Sequence, residues 1–503
     1  MPSLTIDGAR VERAELVRCA QRAADWLVAD GVGEGDALIL ALSSGLEHLA
    51  YLIAAWHLRA QVVEVAPSSS ASVLTAALQR TGAKVIVADA DQADRLLAEE
   101  RAHHPGVERG EAPALATGAP GTITRVAGAA TSRAGVRVAD VELEGLLADQ
   151  PPAIFFTSGS TATAKGVLLR WPSLLDKGRS ILGFYGEAAR SLFPLLPMSH
   201  AYGLYLTLAG LASGGDLLLT RESLAVSAVL ELAAAAGVRA LVCPPLFARA
   251  LLLGRGGADP RLRGQLELLS MGGAATSSEL VASVRSALPE TRLLLSYGLV
   301  ETYSTICCLD ASAEPERIAS VGPPRWGARV ELRDPDGGGP VPPGRPGELC
   351  VAQPITDGYV GLGRPEAYFT GDGLLRTGDL AELDSAGYVF IRGRIKDIFK
   401  AGSLTIDPSE IEQALAAHPA VEDCGAYVAS VRGADVIYAA VVVRGEPRAE
   451  LFDELREHCR ARLGAQLVPR QIVPVPLIPR GSLGKVQRAG LKDLVAQLVG
   501  ERR

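Results

Sequence analysis

The stretch Ile154 to Val167, IFFTSGSTATAKGV, decides how the chain is read. An apolar run from Ala153 to Phe156 reads as a buried strand. It opens directly into Thr157, Ser158, Gly159, Ser160 and Thr161, followed by Lys165 and Gly166. Glycine lets backbone N–H groups converge on an anion, Ser/Thr hydroxyls add short donors, and a lysine supplies the point charge that neutralises a polyphosphate. The loop is not a P-loop of the GxxxxGK[ST] kind, because Ala164 stands in place of the second glycine and Gly166 in place of Ser/Thr. Taken alone, such a loop is either a phosphate cradle or a solvated turn. The surrounding chain decides between them.

Before the loop, residues 11 to 30 have helical spacing through Leu16, Ala20, Ala23 and Leu27, and Gly31 and Gly33 break the run. Strand-like Ala37 to Leu42, a helix around Leu46 to Arg59, the strand Val62 to Val65, a helix near Ala71 to Arg80 and the strand Lys84 to Ala88 follow. From Ala90 to Gln150 periodicity weakens into loops and short strands. After the loop, the expected strands are Leu192 to Leu196, Asp216 to Leu219, Ala240 to Val242, Leu266 to Ser270 and Arg292 to Leu295. The intervening helices begin after Ala201, at Ser223, at Pro245 and at Ser277. Alternating strands and helices predict a parallel, doubly wound α/β sheet. In open α/β sheets ligands sit beyond the carboxyl ends of the strands. SHAYG at Ser199 to Gly203, MGGA at Met271 to Ala274 and SYGLVET at Ser296 to Thr302 should therefore share one crevice with the loop. The turn-rich stretch Asp334 to Gly347 predicts a small β-barrel or meander, and a separate α/β unit should run from Arg394. The expected division is 1–393 and 394–503.

With 503 residues and 48% hydrophobic content, the chain has the makings of a soluble globular protein of more than one domain. A net charge of -7 argues against a nucleic-acid partner. No apolar h-region opens the sequence and no window is apolar enough to span a bilayer, so no membrane role is expected and the cytoplasm is the expected address. The 7 cysteines lack CxxC spacing and read as small core hydrophobes, without a disulfide framework or zinc site.

FTSGSTATAKG, SYGLVET, RTGDLAELDSAGYVFIRGRIKDIFKAG, IDPSEIE and PRGSLGKVQR, in this order and spacing, resemble the adenylate-forming superfamily of acyl-CoA synthetases, nonribosomal peptide adenylation domains and luciferases. The resemblance covers nearly the whole chain. It implies a large N-terminal domain and a small mobile C-terminal domain. It also implies a two-step reaction, in which a carboxylate attacks the α-phosphate of ATP to give acyl-AMP and pyrophosphate, and a thiol then displaces AMP.

By this resemblance, the loop from Thr157 to Lys165 holds the β- and γ-phosphates. Gly273 and Ala274 let adenine approach backbone, Tyr297 stacks on the base, and Gly298 and Thr302 complete the nucleotide set. Glu301 resembles the Mg²⁺ ligand, a hard carboxylate suited to a phosphate-bridging ion. Asp379 should accept from the ribose hydroxyls, with Arg394 assisting. Lys485 resembles the catalytic lysine that reaches the attacking carboxylate and the α-phosphate, although a lysine near a chain end is by itself an ordinary surface residue. Lys396 occupies the hinge position. A lone histidine between strand and helix is most often structural, but in relatives with SH at this point it lines the junction of acyl pocket and pantetheine tunnel. His200 therefore joins the catalytic set.

Two departures stand out. Ala162 and Ala164 replace the usual glycine and proline of the loop. Val300 replaces the usual threonine beside the α-phosphate, and valine cannot donate; Thr302 stands nearby. Ala201 follows His200 where amino-acid-activating relatives usually carry an aspartate, and a substrate ammonium buried there without a partner would be costly. An aryl, arylacrylic or medium-chain acid is expected rather than an ordinary α-amino acid. His200, Ala201, Tyr202, Gly203, Val242, Cys243, Met271 and Gly272 are the expected pocket positions. No carrier domain follows in the sequence, so the acceptor should be coenzyme A or the phosphopantetheine of a carrier protein in trans. Two other readings stay open: transfer of the activated group to a non-thiol nucleophile, and a degenerate nucleotide-binding fold without turnover.

Overall fold

A computed structural model describes residues 3–89, 107–111, 122–126, 143–157, 164–221, 225–253, 260–335, 338–397, 399–401, 404–431, 434–481 and 484–500. Two large sheets organise the first four-fifths of the chain. The eight-stranded sheet has the spatial order Ser304–Asp310, Arg292–Leu299, Leu268–Gly272, Ala240–Cys243, Ser191–Pro194, Asp216–Leu219, Leu4–Ile6 and Ala9–Val11, parallel except at its two edge pairs. The seven-stranded sheet runs Val107–Glu111, Thr122–Val126, Val85–Ala88, Ala37–Ala41, Gln61–Glu64, Ala153–Thr157 and Lys165–Leu169.

Period-two alternation shows how the layers stack. In Ala37–Ala41, Leu38 and Leu40 enter the large central core, whereas Ala37, Ile39 and Ala41 face an outer core. In the other sheet Val242, Leu268 and Leu294 face the central core, and Leu241, Cys243, Leu269 and Met271 face a second outer one. The central layer is made of the helices Arg13–Ala29, Leu46–Leu58, Trp171–Tyr185 and Ala201–Ser213. A helix held between two sheets is apolar nearly all round, as LEHLAYLIAAWHL of Leu46–Leu58 is. Trp56 and Trp171 meet edge to face there, 5.0 Å between centroids. Burial of each such large side chain contributes roughly 1.5–3 kcal/mol.

The strand Lys165–Leu169 and the helix Trp171–Tyr185 are not anticipated by the sequence reading. Lys165 and Gly166 continue the loop into a hairpin with Ala153–Thr157. A side chain at Gly166 would strike Ile154, Phe156 and Val360. Much of the weakly periodic stretch from Ala90 to Gln150 lies outside the described residues.

Where a small barrel or meander is expected, Arg329–Arg333, Gly347–Gln353, Leu375–Leu383 and Val389–Arg394 form an antiparallel meander in that order. No barrel closes, because the free edge of Val389–Arg394 is bridged at Val389 by Gly322 and Val321 instead of by Arg329–Arg333. After it, a three-stranded sheet of Val421–Val431, Ala434–Val443 and Gln471–Pro474 carries its own cores. Pro408–Ala416 and Ala449–Leu463 pack on one face and Arg488–Gly500 on the other. Arg249 donates to the carbonyls of Ala416 at 2.8 Å and Val421 at 3.3 Å, and Arg462 pairs with Glu279, so this unit rests on the large one. All seven cysteines are buried and free. Among the described residues no helix is long and apolar enough to cross a membrane.

Candidate active site

A cleft of about 2640 Å³ opens between the large sheets, the meander and the C-terminal unit. Its walls include Lys165, His200, Tyr297, Glu301, Asp379, Arg394, Lys396 and Lys485. Residues more than 300 positions apart in sequence thus share one space.

Asp379 is held on both carboxylate oxygens. It lies in Leu375–Leu383, opposite Arg394 of the neighbouring strand. Its carboxylate accepts the Tyr297 hydroxyl at 2.6 Å through Oδ2 and Arg394 Nε at 2.6 Å through Oδ1. The residue is 4% exposed. Burial and the adjoining carboxylate push the Tyr297 phenol well above its ordinary value, so it stays a donor.

Glu301 sits in the single-turn helix Val300–Thr302, and its Oε1 accepts the Tyr359 hydroxyl at 3.1 Å. Its other oxygen has no hydrogen bond among the described residues. Lys165 lies over the Tyr368 ring, 3.3 Å from the centroid, and 5.6 Å from that of Tyr359, so the Tyr359 ring links the lysine to Glu301. Mg²⁺ is bound through one or two carboxylates, with substrate phosphates and water completing its shell, and Glu301 fits that role. Among the described residues no group of three His, Cys, Asp or Glu side chains could hold a metal by itself.

Lys485 follows a tight loop. Arg480 donates to Gly484 O at 2.5 Å and is fixed in turn on Asp423, at 3.0 Å through Nε and 2.5 Å through Nη2. Gly484 at φ +78 turns the chain beside Leu246. Lys485 lines the open cleft and is exposed to it. Burial, and then Arg394 and Lys396, lower its pKa, while Asp379 and Glu301 act in the opposite sense. Lys396 is lowered too, by burial and by Arg394.

His200 precedes the helix Ala201–Ser213, and its carbonyl accepts the first intrahelical bond from Leu204. Burial and the nearby Lys485 ammonium lower its pKa to about 4, so its imidazole is neutral at neutral pH. Gly203, expected in the pocket, lies behind this turn, since any side chain there would strike the carbonyls of Leu196 and Pro197. Ala201 and Tyr202 line the cleft.

The other expected positions divide by strand face. Gly273, at φ +84, and Ala274 line the cleft. Gly272 stands against the Tyr202 ring, where a Cβ would come within 2.9 Å of Cε1. Cys243 and Met271 point into the outer core on the far side of the sheet, and Val242 is buried in the central core. Gly298 lies where its strand presses on the backbone of Ser304. Thr302 is fully buried, and its hydroxyl accepts from Leu299 N at 3.0 Å and reaches Ser304 O at 2.7 Å. It is spent on the turn and offers nothing to the cleft, whereas Val300 lines it. Thr157 ends its strand paired with Lys165, and Ser158, Gly159, Ser160 and Thr161 lie outside the described residues.

Beside Ser296, which heads the SYGLVET motif, Tyr185, Tyr205 and Ser270 lie around Tyr202, and Thr305 lies against Tyr205; these four carry no sequence motif of their own. Tyr202 hydroxyl lies 3.4 Å from Ser270 Oγ, which lies 3.3 Å from Ser296 Oγ, and Tyr205 hydroxyl meets Thr305 Oγ1 at 3.0 Å. Serines interrupting the apolar strands LLSMG and RLLLSYGL were the available signal.

Comparison with known proteins agrees with this geometry. The family model for AMP-binding enzymes matches residues 2–360, and that for the AMP-binding enzyme C-terminal domain matches 410–485. The 4-coumarate--CoA ligase-like 4 of Oryza sativa subsp. japonica is 28% identical over 353 residues, 69% of this chain and 63% of that protein, so the match spans less than two thirds of this relative's length. A feruloyl-CoA synthase of Amycolatopsis sp. is 29% identical over 494 residues, 96% of this chain and 94% of the relative. The structure of O-succinylbenzoate coenzyme A synthetase from Bacillus subtilis in complex with AMP superposes with a TM-score of 0.77 at 22% identity, covering 98% of this chain and 95% of that one. With both family segments present in order and the fold shared along nearly its whole length, the chain belongs to the AMP-binding, adenylate-forming enzymes.

Proposed function

We propose that the chain is an AMP-forming acid–thiol ligase. A carboxylate oxygen attacks the α-phosphorus of ATP, the bond to the β-phosphate oxygen breaks, and pyrophosphate leaves. A thiolate then attacks the acyl carbon of the mixed anhydride and AMP departs with the electron pair. The acid is of the aryl, arylacrylic or medium-chain class, and the acceptor is coenzyme A or a carrier-protein phosphopantetheine. The observation that carries this reading is the meeting of Lys485 with His200, Glu301 and Asp379 in one cleft.

Each residue has a physical task. Asp379, held by Tyr297 and Arg394, presents a fixed pair of acceptors to vicinal hydroxyls of a ribose. Lys485 places an ammonium where negative charge spreads in phosphoryl transfer. Lys165 adds a second cation toward the outer phosphates, and Glu301 would hold Mg²⁺, which neutralises phosphate charge when bound. A neutral His200 beside Lys485 adds no competing charge to an incoming carboxylate. Residues 394–503 form the mobile unit, with Lys396 at its hinge, so that one face serves adenylation and another thioester formation.

The test is pyrophosphate release from ATP and Mg²⁺ across benzoates, cinnamates, linear acids and amino acids, with Lys485→Ala as the blank and coenzyme A added second. A response confined to one acid class, absent from the blank, supports the reading. No release with any acid while ATP still binds would overturn it.

A further inference from the structure

The helix Pro245–Leu253 follows the strand Ala240–Cys243 and carries the large domain's grip on the C-terminal unit. Leu246 and Arg249, three positions apart, share one face of that helix. Leu246 lies against Gly484, the residue before Lys485, where a Cβ would come 3.5 Å from the Leu246 Cβ. Arg249 reaches the turn between Pro408–Ala416 and Val421–Val431, and its Nη2 donates to Ala416 O at 2.8 Å and Val421 O at 3.3 Å. The last carbonyls of a helix have no partner within it. In Pro408–Ala416 those of Ala414 and Leu415 accept from Ala417 N at 3.3 Å and His418 N at 3.1 Å, inside the unit, whereas that of Ala416 accepts from Arg249 of the other one. A guanidinium at this end also complements the helix dipole. Arg249 therefore caps, from across the interface, a helix to which it does not belong. The contact of Arg462 with Glu279 crosses the same interface, but its side chains are 38% and 50% exposed, and a pair so open to water contributes little.

We propose that Arg249 is a positioning residue for the first half-reaction: it acts through the C-terminal unit, holding that unit in the seat from which Lys485 enters the cleft beside His200, Glu301 and Asp379. This inference rests on the adenylation reading and on the proposed turn of residues 394–503 about Lys396. Such a turn carries Ala416 and Val421 away from the helix Pro245–Leu253, so the two bonds belong to the seated arrangement alone. An interaction present in one arrangement and absent from the other shifts the balance between them by its own contribution. Two hydrogen bonds from a charged donor are enough to shift it roughly 10-fold or more. A unit that serves two steps in turn keeps its two arrangements close in free energy, so a shift of that size reaches the rates. Loss of Arg249 should slow the step that needs Lys485 seated and spare the step that needs the unit turned away.

The experiment follows two half-reactions of the full chain in single turnover. The first is acyl-AMP formation from ATP with benzoate, 4-hydroxycinnamate or octanoate, whichever the wild type uses best. The second is transfer of that acyl-AMP, supplied ready-made, to coenzyme A, or to pantetheine where coenzyme A is refused. Arg249→Met keeps the apolar stem and removes the donors. It should lower the ratio of the first rate to the second about 5-fold or more, with KM for ATP moving less than about threefold. Glu279→Gln should leave the ratio within about threefold of wild type. A ratio changed less than about threefold in Arg249→Met overturns the inference. So does a fall of both half-reactions together, which marks a merely structural role, or an equal change in Glu279→Gln. Should Arg249→Met fail to fold, Arg249→Lys, which keeps the charge but not the fork, is judged by the same ratio. In each of these outcomes a wild type that forms acyl-AMP leaves the adenylation reading standing. A wild type that forms acyl-AMP but passes the group to neither thiol removes the thiol reading and this inference with it, and silence with all three acids removes adenylation as well.

Discussion

Tyr297 and Asp379 are joined by a 2.6 Å hydrogen bond that crosses from the large sheet to the meander. The bond occupies one oxygen of the carboxylate, and Arg394 occupies the other. In the proposed reaction ribose hydroxyls bind here by exchange or by sharing an oxygen, and the Arg394 side chain, 34% exposed, pairs with the same carboxylate. Asp379→Ala should remove both ribose acceptors and raise KM for ATP about 10-fold or more. Tyr297→Phe removes only a donor that the ribose can replace, so ATP KM should move less than about threefold. Titration of ATP into both variants checks the pair, and equal losses would contradict the exchange.

In the proposed reaction Lys485 works as an ammonium, and its pKa is lowered by burial and by the cations Arg394 and Lys396. A lysine with a depressed pKa is protonated at low pH and loses its charge as pH rises through that lower value. The alkaline decline of adenylation should therefore begin below the ordinary lysine range. Lys396→Gln deletes one repelling cation and should move that decline to higher pH. A pH–rate profile of pyrophosphate release for wild type and variant decides; an unmoved alkaline limb would show that Lys485 does not control it.

The alternation of apolar strands and helices made the layered α/β core legible, because strands such as ALILA are buried on both faces and break at glycines. Lys165, Asp379 and Lys485 stand in recognisable sequence motifs, but their meeting in one cleft rests on contacts across hundreds of residues that periodicity does not encode. Strand alternation also explains which pocket expectations failed to meet the cleft. Met271 and Gly272 are neighbours in one strand, so only one can face Tyr202, and Met271 faces the outer core. Thr302 was unreadable in a different way: its identity suits a phosphate donor, and only the folded turn shows its hydroxyl already engaged by Leu299 and Ser304.

That engagement gives the third prediction. Val300 lines the cleft and cannot donate, and the buried Thr302 hydroxyl cannot stand in for it. Val300→Thr is nearly isosteric and places a hydroxyl at the cleft wall, so it should speed adenylation by up to about 10-fold, the worth of one added hydrogen bond in the transition state. Thr302→Val should leave the phosphate chemistry untouched in kind but loosen the turn that carries Glu301, seen as a lower unfolding midpoint. Single-turnover adenylate formation checks the first variant and thermal unfolding the second. A slower Val300→Thr enzyme would mean that the apolar side chain is itself needed there.

Lys177 lies in the helix Trp171–Tyr185, 6% exposed, with its ammonium unpartnered by any hydrogen bond and 5.4 Å from the Trp326 ring centroid. Burial lowers its pKa from 10.5 to about 8, with Cys307 acting weakly in the other direction. Below about pH 8 the folded and unfolded chains both hold the proton, and the fold carries the whole penalty, roughly 3 kcal/mol. Between about pH 8 and 10.5 the unfolded chain binds more protons than the folded one, so this residue makes stability rise with pH. Lys177→Met keeps the apolar stem and removes the charge. Its unfolding midpoint should rise at pH 7, and the gap to wild type should close as pH approaches 10.5. A variant less stable than wild type at pH 7 would mean that the ammonium is held by more than the Trp326 face.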